Sequence, residues 1–419
     1  MQTHYFDPPT SLLFAQSSIE RELRDKLLCT RIYSSATISP CEILSGITTM
    51  EVIDSKNNVV LDVNCNLVYP NKVDAFFFAE HQVDYDIIYL GCFWTCWGHY
   101  FTDGLSKAWY LLTDEYKNKH KGKTKIAISF VGNNIKYCPQ AFLELFDLLG
   151  VNRKDLIIIS NPTKFRNIII PDNSLVIKEG TRFFTKEYND TINEITNKIP
   201  KIDGHKYDKI YLSRTHFISG NADFGEKSLE KVFKRLGYTI IHPQEFSIKE
   251  QIAIFKSAKS FVATTGSIGH NSVFCNPWTE VVLLQKCCAM YDYQLIINEA
   301  RNLNVTYVDT HLSCFVNDQP NNGPFFLYRN ANFCRFIKER YNLIVSENFS
   351  TRRYLRYMRI CMMRGDMKYR NEAPVFYFEK LRQELQNDSW KRLFAKKIAA
   401  IVPPKFMNKL TSIYLKRIR

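Results

Sequence analysis

The chain of 419 residues lacks several features that would place it in a common class of protein. No apolar run approaches the roughly 20 residues that a membrane-spanning helix needs. No repeat of fixed period is present, and the 45% hydrophobic and 14% aromatic content excludes a disordered or collagen-like chain. Its first residues do not form a basic region followed by an apolar one, so we expect no cleaved secretion signal.

Common nucleotide and metal motifs are also missing. The chain has no P-loop and no GxGxxG fingerprint, and residues 265–269 lack the spacing of the hydrolase GxSxG motif. Twelve cysteines are scattered without a pair of CxxC elements, so we expect reduced thiols in a cytoplasm and no metal site. Asp84-Tyr85-Asp86 matches the short DxD metal pattern, but it precedes its strand instead of following one.

The net charge of +14 is confined to the C-terminal part of the chain. Residues 331–419 hold 21 Lys and Arg against 7 Asp and Glu, whereas the first 330 residues hold 35 of each kind. This distribution argues against a nucleic-acid-binding core. It favours a basic tail that meets an anionic surface.

The end of this tail shows two amphipathic patterns separated by Pro403-Pro404. The apolar stripes are Trp390, Leu393, Phe394, Ile398 and Ile401, and then Phe406, Leu410, Ile413, Tyr414 and Ile418. Such helices can lie in a membrane interface, or their apolar stripes can pack on the protein. The membrane interpretation is favoured because basic and apolar faces coincide twice in succession.

Apolar runs of strand type alternate with helical patterns through most of the chain, which predicts an α/β fold. We expect two doubly wound, Rossmann-like domains that face a cleft, followed by the basic helical tail. The polar segment Asn189–His205 is the candidate linker. The predicted limits are an N-terminal α/β domain over 1–204, a C-terminal α/β domain over 205–330 and the tail over 331–419.

The stretch Ser247–Lys286 contains the pattern of a helix, a strand, a turn, a second helix start and a second strand. Its turn, Thr264-Thr265-Gly266-Ser267, follows an apolar run, and the helix is predicted to begin near His270. Small residues and unpaired N–H groups at a helix start bind anions well. The pattern predicts a parallel strand-helix-strand unit with an anion-binding turn.

Two blocks of residues resemble the signature of glycosyltransferase family 61, over roughly residues 85–290. The first block is residues 98–105, GHYFTDGL. The second consists of Tyr211-Leu212-Ser213-Arg214, Glu226, Leu236-Gly237-Tyr238, Pro243, Ser247, Glu250-Gln251-Ile252, Ala258, Thr265-Gly266-Ser267, Asn271 and Phe274. The resemblance implies a GT-B fold and an inverting, metal-independent transfer from a nucleotide sugar, with the donor site mostly in the second domain.

The chain departs from that family at two places. Many members carry His-Gly-Ala where this chain has Thr265-Gly266-Ser267, and a second arginine often found after the Leu-Ser-Arg block is absent from residues 215–226. The secreted branch of the family begins with a signal or anchor, which we do not find. The closer likeness is a bacterial enzyme of capsule, lipopolysaccharide or exopolysaccharide assembly, placed in the cytoplasm and peripheral to the inner membrane.

His99 and Asp103 are the candidate catalytic residues, because inversion needs a base for the acceptor hydroxyl proton. If a helix has begun by His99, residues four apart face the same way. Alternatively, Asp103 caps a helix that begins at Gly104, and His99 is a hydrogen-bonded loop residue. Asp103 is slightly favoured as the base, since an ionised carboxylate is available at neutral pH.

The candidate donor site is built around Arg214, whose guanidinium matches phosphate oxygens in a bidentate manner. Thr265, Gly266, Ser267 and Asn271 supply further donors, His270 can stabilise the leaving group, and Glu250 can hold ribose hydroxyls. Each residue has a structural alternative. Arg214 can form a surface ion pair, and the residues of the turn can form an ordinary βα turn with Ser267 as the cap. His270 can be a capping or core histidine, and Glu250 a solvated glutamate.

The predicted partners are a nucleotide sugar, with a UDP-linked donor favoured, a glycan or lipid-linked glycan acceptor, and an anionic membrane surface. No nucleic acid and no separate cofactor are expected. The competing class is a catalytically inactive GT-B scaffold that acts as an adaptor on a membrane or polyanion. Turnover of a nucleotide sugar separates the two classes.

Overall fold

The structure is a computed structural model of the 419-residue chain. It describes residues 3–6, 22–23, 27–40, 42–44, 47–49, 52–60, 79–94, 96–130, 140–178, 181–217, 223–287, 291–312 and 325–357. The chain divides into two compact units. The first comprises Met1–His216, Glu230–Gln285 and Ala289–Asp309, and the second comprises Phe217–Leu229, Lys286–Cys288 and Thr310–Arg419.

A six-stranded parallel sheet in the first unit combines the first strand of the chain with five strands from residues 209–309. Its strands, in spatial order, are β1 (Thr3–Phe6), β19 (Asn304–Asp309), β18 (Glu280–Gln285), β17 (Ser260–Thr264), β14 (Lys209–Leu212) and β16 (Thr239–Ile241). The chain passes from β14 to β16 on one side and then to β17 on the other. The order therefore reverses between β14 and β17, which is the topological switch point where open α/β sheets bind ligands.

A second sheet of the same unit is mixed. Its strands are β10 (Leu156–Ile158), β9 (Lys125–Phe130), β8 (Asp86–Phe93), β11 (Thr163–Pro171), β3 (Thr30–Ile38) and β6 (Val52–Ile53), and β7 (His81–Gln82) pairs with β11. The strands from β10 to β11 run parallel, whereas β3 and β6 pair antiparallel. This sheet is therefore only partly parallel, because the N-terminal strands extend its edge antiparallel.

The helices follow the predicted alternation. They are α1 (Trp97–His99), α2 (Gln140–Leu148), α3 (Lys186–Asn197), α4 (Glu226–Arg235), α5 (Ile248–Ser257), α6 (Asp292–Ala300) and α7 (Ala331–Tyr341). The first unit also holds the small sheets β4 (Glu42–Leu44) with β5 (Ile47–Thr49), and β2 (Glu22–Leu23) with β12 (Leu175–Lys178) and β13 (Thr181–Phe184). The alternation of strands and helices confirms the predicted α/β class.

Local signals explain most of the element boundaries. Helix α5 begins with a capping box, in which Ser247 and Glu250 satisfy each other's backbone N–H groups. The chain leaves helix α4 through Gly237 at φ 81°, a left-handed conformation that glycine adopts without steric cost. Strand β8 has a register shift between Tyr89 and Cys92, around Gly91 at φ 103°. A bulge here redirects the chain just before the polar segment that follows β8.

The predicted linker Asn189–His205 is wrong for most of its length, because α3 continues to Asn197. Tyr188, Ile192 and Ile195 lie at helical spacing and are fully buried in the large core cluster of the first unit. Three apolar residues among polar ones are enough to hold a helix when they share one face. The domain limits at 204/205 and 330/331 stay predictions, as do the two-domain GT-B layout and the basic tail.

The second unit contains the parallel pair β15 (Asp223–Phe224) and β20 (Phe325–Phe326), and helix α7. The Asn330 side chain accepts from the Phe333 N–H and caps α7, and Asn342 ends it at φ 51°. The amphipathic stripes of residues 390–418 lie outside the described residues. Within the described residues, no helix is long and apolar enough to cross a membrane.

Candidate active site

The polar segment after β8 folds into a helical stretch. Helix α1 (Trp97–His99) continues without a break into a π-helical turn, Tyr100–Gly104. Such turns are rare and are often found at functional sites. Gly104 allows the tight packing, because a Cβ there would lie 2.5 Å from the Phe93 ring. The helix has therefore begun by His99, and the chain does not adopt the alternative in which a helix starts at Gly104.

His99 and Asp103 form a hydrogen-bonded pair on this turn. The distance between His99 Nδ1 and Asp103 Oδ2 is 2.7 Å. The second carboxylate oxygen, Oδ1, accepts a 2.9 Å bond from the Tyr293 hydroxyl. Both oxygens of this fully buried carboxylate thus have a hydrogen-bond partner, as buried polar groups in proteins generally do.

The two members of the pair differ in exposure. The Asp103 side chain is 0% exposed, whereas the His99 side chain is 16% exposed. When Nδ1 carries the proton it donates to Asp103, and Nε2 then holds the lone pair. An acceptor hydroxyl can reach a partly exposed imidazole but not a buried carboxylate. The geometry therefore suits His99 as the proton acceptor and Asp103 as the group that orients it.

Aromatic side chains fix the orientation of the imidazole. The His99 ring meets the Tyr293 ring edge to face, with centroids 5.0 Å apart, and lies 6.2 Å from the Trp94 ring. Behind the turn, the Tyr188 hydroxyl donates a 2.8 Å bond to the Phe101 carbonyl oxygen. Burial raises the pKa of the Tyr188 phenol, so this donor stays protonated.

The turn after β17 uses some of its backbone donors internally. Gly266 lies at φ 100°. The Thr265 N–H donates to the Leu284 carbonyl oxygen, and the N–H groups of Gly269 and His270 donate to the Gly266 carbonyl oxygen. In the described part of the chain, no backbone acceptor is assigned to the N–H groups of Gly266 and Ser267. The same holds for the Ile268 N–H, so these three groups are the backbone donors left for an anion.

The helix predicted near His270 is a short 3₁₀ helix, Gly269–Phe274. Six residues with 3₁₀ geometry align few peptide dipoles, so this helix adds little field at the turn. Binding of an anion here would depend on the individual donors and on nearby cations.

Contacts between the α1 segment and the turn bring the two candidate sites together. The Trp97 Nε1–H donates a 3.0 Å bond to Asn271 Oδ1, and the Cys96 and Ser267 side chains form a 3.3 Å hydrogen bond. Gly98 packs directly on the His270 ring, where a Cβ would collide with His270 Nδ1. The His99–Asp103 pair therefore lies beside the turn that follows β17.

His270 and Asn271 are buried in this contact, at 5% and 1% exposure. Asn271 uses its amide oxygen for Trp97 and its amide nitrogen for the Ile268 carbonyl oxygen, at 3.0 Å each. Its side chain holds two chain segments together. The His270 ring lies among Gly98 and the rings of Tyr291 and Tyr293, whose centroids are 6.3 and 6.5 Å away.

Arg214 lies at the same edge of the parallel sheet as the turn. Leu212 of β14 is level with Ala263 of β17, so Arg214 and Thr265 each come two residues after this register pair. Glu230 holds the residues on both sides of Arg214, because its carboxylate accepts from the Ser213 hydroxyl at 2.7 Å and the Thr215 hydroxyl at 2.8 Å. The switch point thus carries an arginine on a loop that the hydrogen bonds to Glu230 hold in place.

Glu250 is placed differently from the other predicted residues. Its carboxylate accepts from the Ser247 backbone N–H and hydroxyl, both at 2.8 Å, in the capping box of α5. These hydrogen bonds lower the pKa of Glu250. Among the described residues, the hydrogen bonds of the Glu250 carboxylate are all made with Ser247 and none with another predicted site residue.

Residues 97–282 match the family model Glycosyltransferase 61. The matched region contains all nine predicted site residues. A search of curated proteins gives no match. The match supports the predicted enzyme class, and at this level the prediction of a glycosyltransferase is confirmed.

The sequence interpretation missed two residues that support the candidate site, one inside the matched region and one beyond it. Tyr293 follows β18 by eight positions and reaches Asp103 from α6, outside the matched residues. Glu230 lies on α4 and looks like a solvated helix residue in the sequence. A search for polar residues after every parallel strand would have found Tyr293, but no sequence signal marks Glu230.

Asp84 and Asp86, the DxD aspartates of this glycosyltransferase, are paired with protein cations. Asp86 accepts from Arg166 at 2.8 Å and from Asn167 at 2.9 Å, and Asp84 lies 3.7 Å from Arg166. Both aspartates lie at the N-terminal end of β8, opposite the strand ends that form the site. In the described part of the chain, the one group of three side chains with metal-ligand spacing is formed by His216, His242 and Glu245.

Proposed function

We propose that the chain is an inverting glycosyltransferase in which His99 accepts the acceptor proton. The observation that carries this proposal is the 2.7 Å hydrogen bond between a partly exposed His99 and a buried Asp103. Because Asp103 is itself held by Tyr293, the imidazole has one orientation and one available nitrogen. We therefore propose His99 as the base in place of Asp103, which the sequence favoured, because an acceptor hydroxyl can reach the partly exposed imidazole but not the buried carboxylate.

The proposed reaction is a single displacement. The acceptor oxygen attacks the anomeric carbon and forms the new glycosidic bond, while the bond from that carbon to the donor phosphate oxygen breaks. The nucleoside diphosphate leaves with the bonding electron pair, and His99 Nε2 takes the hydroxyl proton. Asp103 stabilises the imidazolium that results. One attack from the face opposite the leaving group inverts the configuration.

The proposed donor site lies at the switch point between β14 and β17. Arg214 would bind the diphosphate in a bidentate manner, and the N–H groups of Gly266 and Ser267 would add donors. Thr265 and His270 line the same turn. Asn271 contributes by holding the turn against Trp97, and Glu250 supports the site through the α5 cap.

The finer features of the function are proposals that follow from the family resemblance and the charge distribution. They comprise a UDP-linked donor, metal-independent transfer, a two-domain GT-B layout and a glycan or lipid-linked glycan acceptor. The setting would be capsule, lipopolysaccharide or exopolysaccharide assembly at the cytoplasmic face of the inner membrane. The basic tail of residues 331–419 would meet the anionic surface.

The test is a transfer assay on the full chain with a panel of nucleotide sugars, read as release of free nucleotide. We expect His99→Ala to lose about 10² to 10⁴ of kcat, the usual contribution of a positioned base. The matched control is His205→Ala, which removes an exposed histidine that also pairs with an aspartate. Full activity in the His99 variant would show that His99 is not the base.

Binding without turnover by the wild-type chain would support the inactive scaffold instead. The tail is tested separately, by sedimentation with vesicles that contain or lack anionic lipid. Deletion of residues 389–419 is expected to abolish sedimentation with anionic vesicles, and unchanged sedimentation would remove the tail proposal.

A further inference from the structure

Three side chains at one edge of the parallel sheet have the chemistry of metal ligands. His216 lies four residues after β14, His242 follows β16 directly, and Glu245 ends the one-turn 3₁₀ helix Pro243–Glu245. Strands β14 and β16 are parallel neighbours, so their carboxyl ends meet at the same edge. None of the three residues belongs to the proposed sugar-transfer machinery.

Their side chains are already close together. The imidazole rings of His216 and His242 stack with centroids 3.6 Å apart and planes inclined by 8°. His216 Nδ1 lies 2.8 Å from Glu245 Oε1. One ligand atom from each of the three residues lies within 4.8 Å of the others.

The ring of His242 contains an unsatisfied atom. Its Nδ1 is buried and has no hydrogen-bond partner among the described residues. A buried polar atom without a partner costs free energy, and native proteins seldom leave one unless a ligand or ion uses the group. A ligand or ion bound to His242 Nδ1 would remove this cost.

We propose that His216, His242 and Glu245 form a site for one divalent transition-metal ion of the zinc class. Two imidazoles and one carboxylate suit Zn²⁺, Co²⁺ or Ni²⁺, whereas Mg²⁺ and Ca²⁺ prefer all-oxygen sites. Three protein ligands leave a fourth position for water or another small ligand.

The stacked rings cannot bind one ion as they stand, because the lone pair of each imidazole lies in its own ring plane, so His216 must rotate out of the stack. Metal–ligand bonds of about 2.0 to 2.2 Å place the ligand atoms of a tetrahedral site about 3.4 Å apart. The His216 and Glu245 side chains are 58% and 52% exposed, so both are free to rotate toward the ion.

Metal binding would have a structural consequence for the donor side. His216 lies two residues after Arg214, and His242 and Glu245 lie on the neighbouring loop. An ion bound by all three would join the loop that carries Arg214 to the loop after β16. The ion would thus restrain a donor-site loop without taking part in the proposed displacement.

The chain offers a matched control in His205. Its Nδ1 lies 2.9 Å from Asp208, much as His216 pairs with Glu245, but the third partner of that group is the Lys259 ammonium. A cation already occupies the position where an ion would have to bind. His205→Ala therefore removes a histidine–carboxylate pair without removing a metal ligand.

The experiment measures metal binding, not sugar transfer, so its failure does not bear on the proposed function. The full chain is stripped with a chelator and titrated with Zn²⁺ in competition with a chromogenic chelator, in wild-type, His242→Ala, Glu245→Gln and His205→Ala forms. We expect the wild type to bind one equivalent more tightly, by about tenfold or more, than the His242 and Glu245 variants. His205→Ala should match the wild type.

Two further measurements make the result decisive. The unfolding midpoint in chelator must agree among the variants, and if His242→Ala fails this check the exposed Glu245→Gln carries the test. The Co²⁺ difference spectrum between the wild type and Glu245→Gln should lack a thiolate charge-transfer band. Equal Zn²⁺ affinity in all four proteins, or a thiolate band in that difference spectrum, would overturn the proposal.

Discussion

The Tyr293 hydroxyl donates a 2.9 Å hydrogen bond to Asp103 Oδ1, across 190 positions of sequence. This bond joins helix α6, which follows strand β18 of the parallel sheet, to the π-helical turn Tyr100–Gly104, which follows strand β8 of the mixed sheet. It leaves Asp103 Oδ2 directed at His99. The orientation of the proposed base therefore depends on a residue outside the region that resembles the family.

Tyr293→Phe should weaken both folding and transfer. It leaves a buried carboxylate oxygen without its donor, which costs about 1 to 3 kcal/mol of the free energy of unfolding. We expect kcat to fall by about tenfold, part of what a positioned base contributes, while the KM values for donor and acceptor stay unchanged. Denaturant unfolding and initial rates check this. Tyr207→Phe is the control, and a loss confined to KM would contradict the positioning role.

Gly98→Ala tests the contact between the α1 segment and the turn. The added methyl group would collide with the His270 ring and lie 3.2 Å from Ser267 Cα. Overpacking of this kind costs about 1 to 3 kcal/mol of unfolding free energy. The double variant Gly98→Ala/His270→Ala should recover part of that loss, measured by denaturant unfolding. Additive losses in the double variant would mean that the ring is not the obstacle.

Glu250→Ala distinguishes a helix cap from a ribose ligand. The Glu250 carboxylate accepts two hydrogen bonds, and both are donated by Ser247. We therefore expect the variant to have a lower unfolding midpoint, because the helix cap is lost, and a donor KM within about twofold of the wild type. Ser247→Ala removes the other half of the capping box and should cost about 0.5 to 2 kcal/mol of unfolding free energy. A donor KM that rises in the Glu250 variant alone would favour the ribose role.

Asp86→Asn should change how stability depends on acid. The hydrogen bond from Arg166 is the main cause that lowers the pKa of Asp86 in the folded chain. The resulting stabilisation is fully present above the ordinary aspartate pKa of about 3.9 and is lost as pH falls through the lower folded pKa. The variant should lose stability at neutral pH and show a shallower acid dependence in urea unfolding from pH 5 downward. Asp84→Asn, whose side chain is 90% exposed, should behave like the wild type.

Much of the secondary structure was predictable because its signals are local. The buried strands Lys125–Phe130 and Glu280–Gln285, and the helix ended by Gly237, follow from apolar runs and left-handed glycine. The predicted linker failed because Ile192 and Ile195 look isolated among polar residues and are recognised as a helix face only from the core in which they are buried. The tail pattern of residues 390–418 stays a prediction.

The sequence by itself determined the α/β alternation, the enzyme class through two blocks of residues, and the choice of His99, Asp103 and Arg214 as candidates. These depend on neighbours within a few positions, where chain geometry fixes which groups share a face. Only the tertiary structure decided that Asp103 is buried and His99 is reachable, and that Tyr293 and Glu230 support the site. Burial and hydrogen bonds between distant positions arise when the sheets pack, and no local pattern records them.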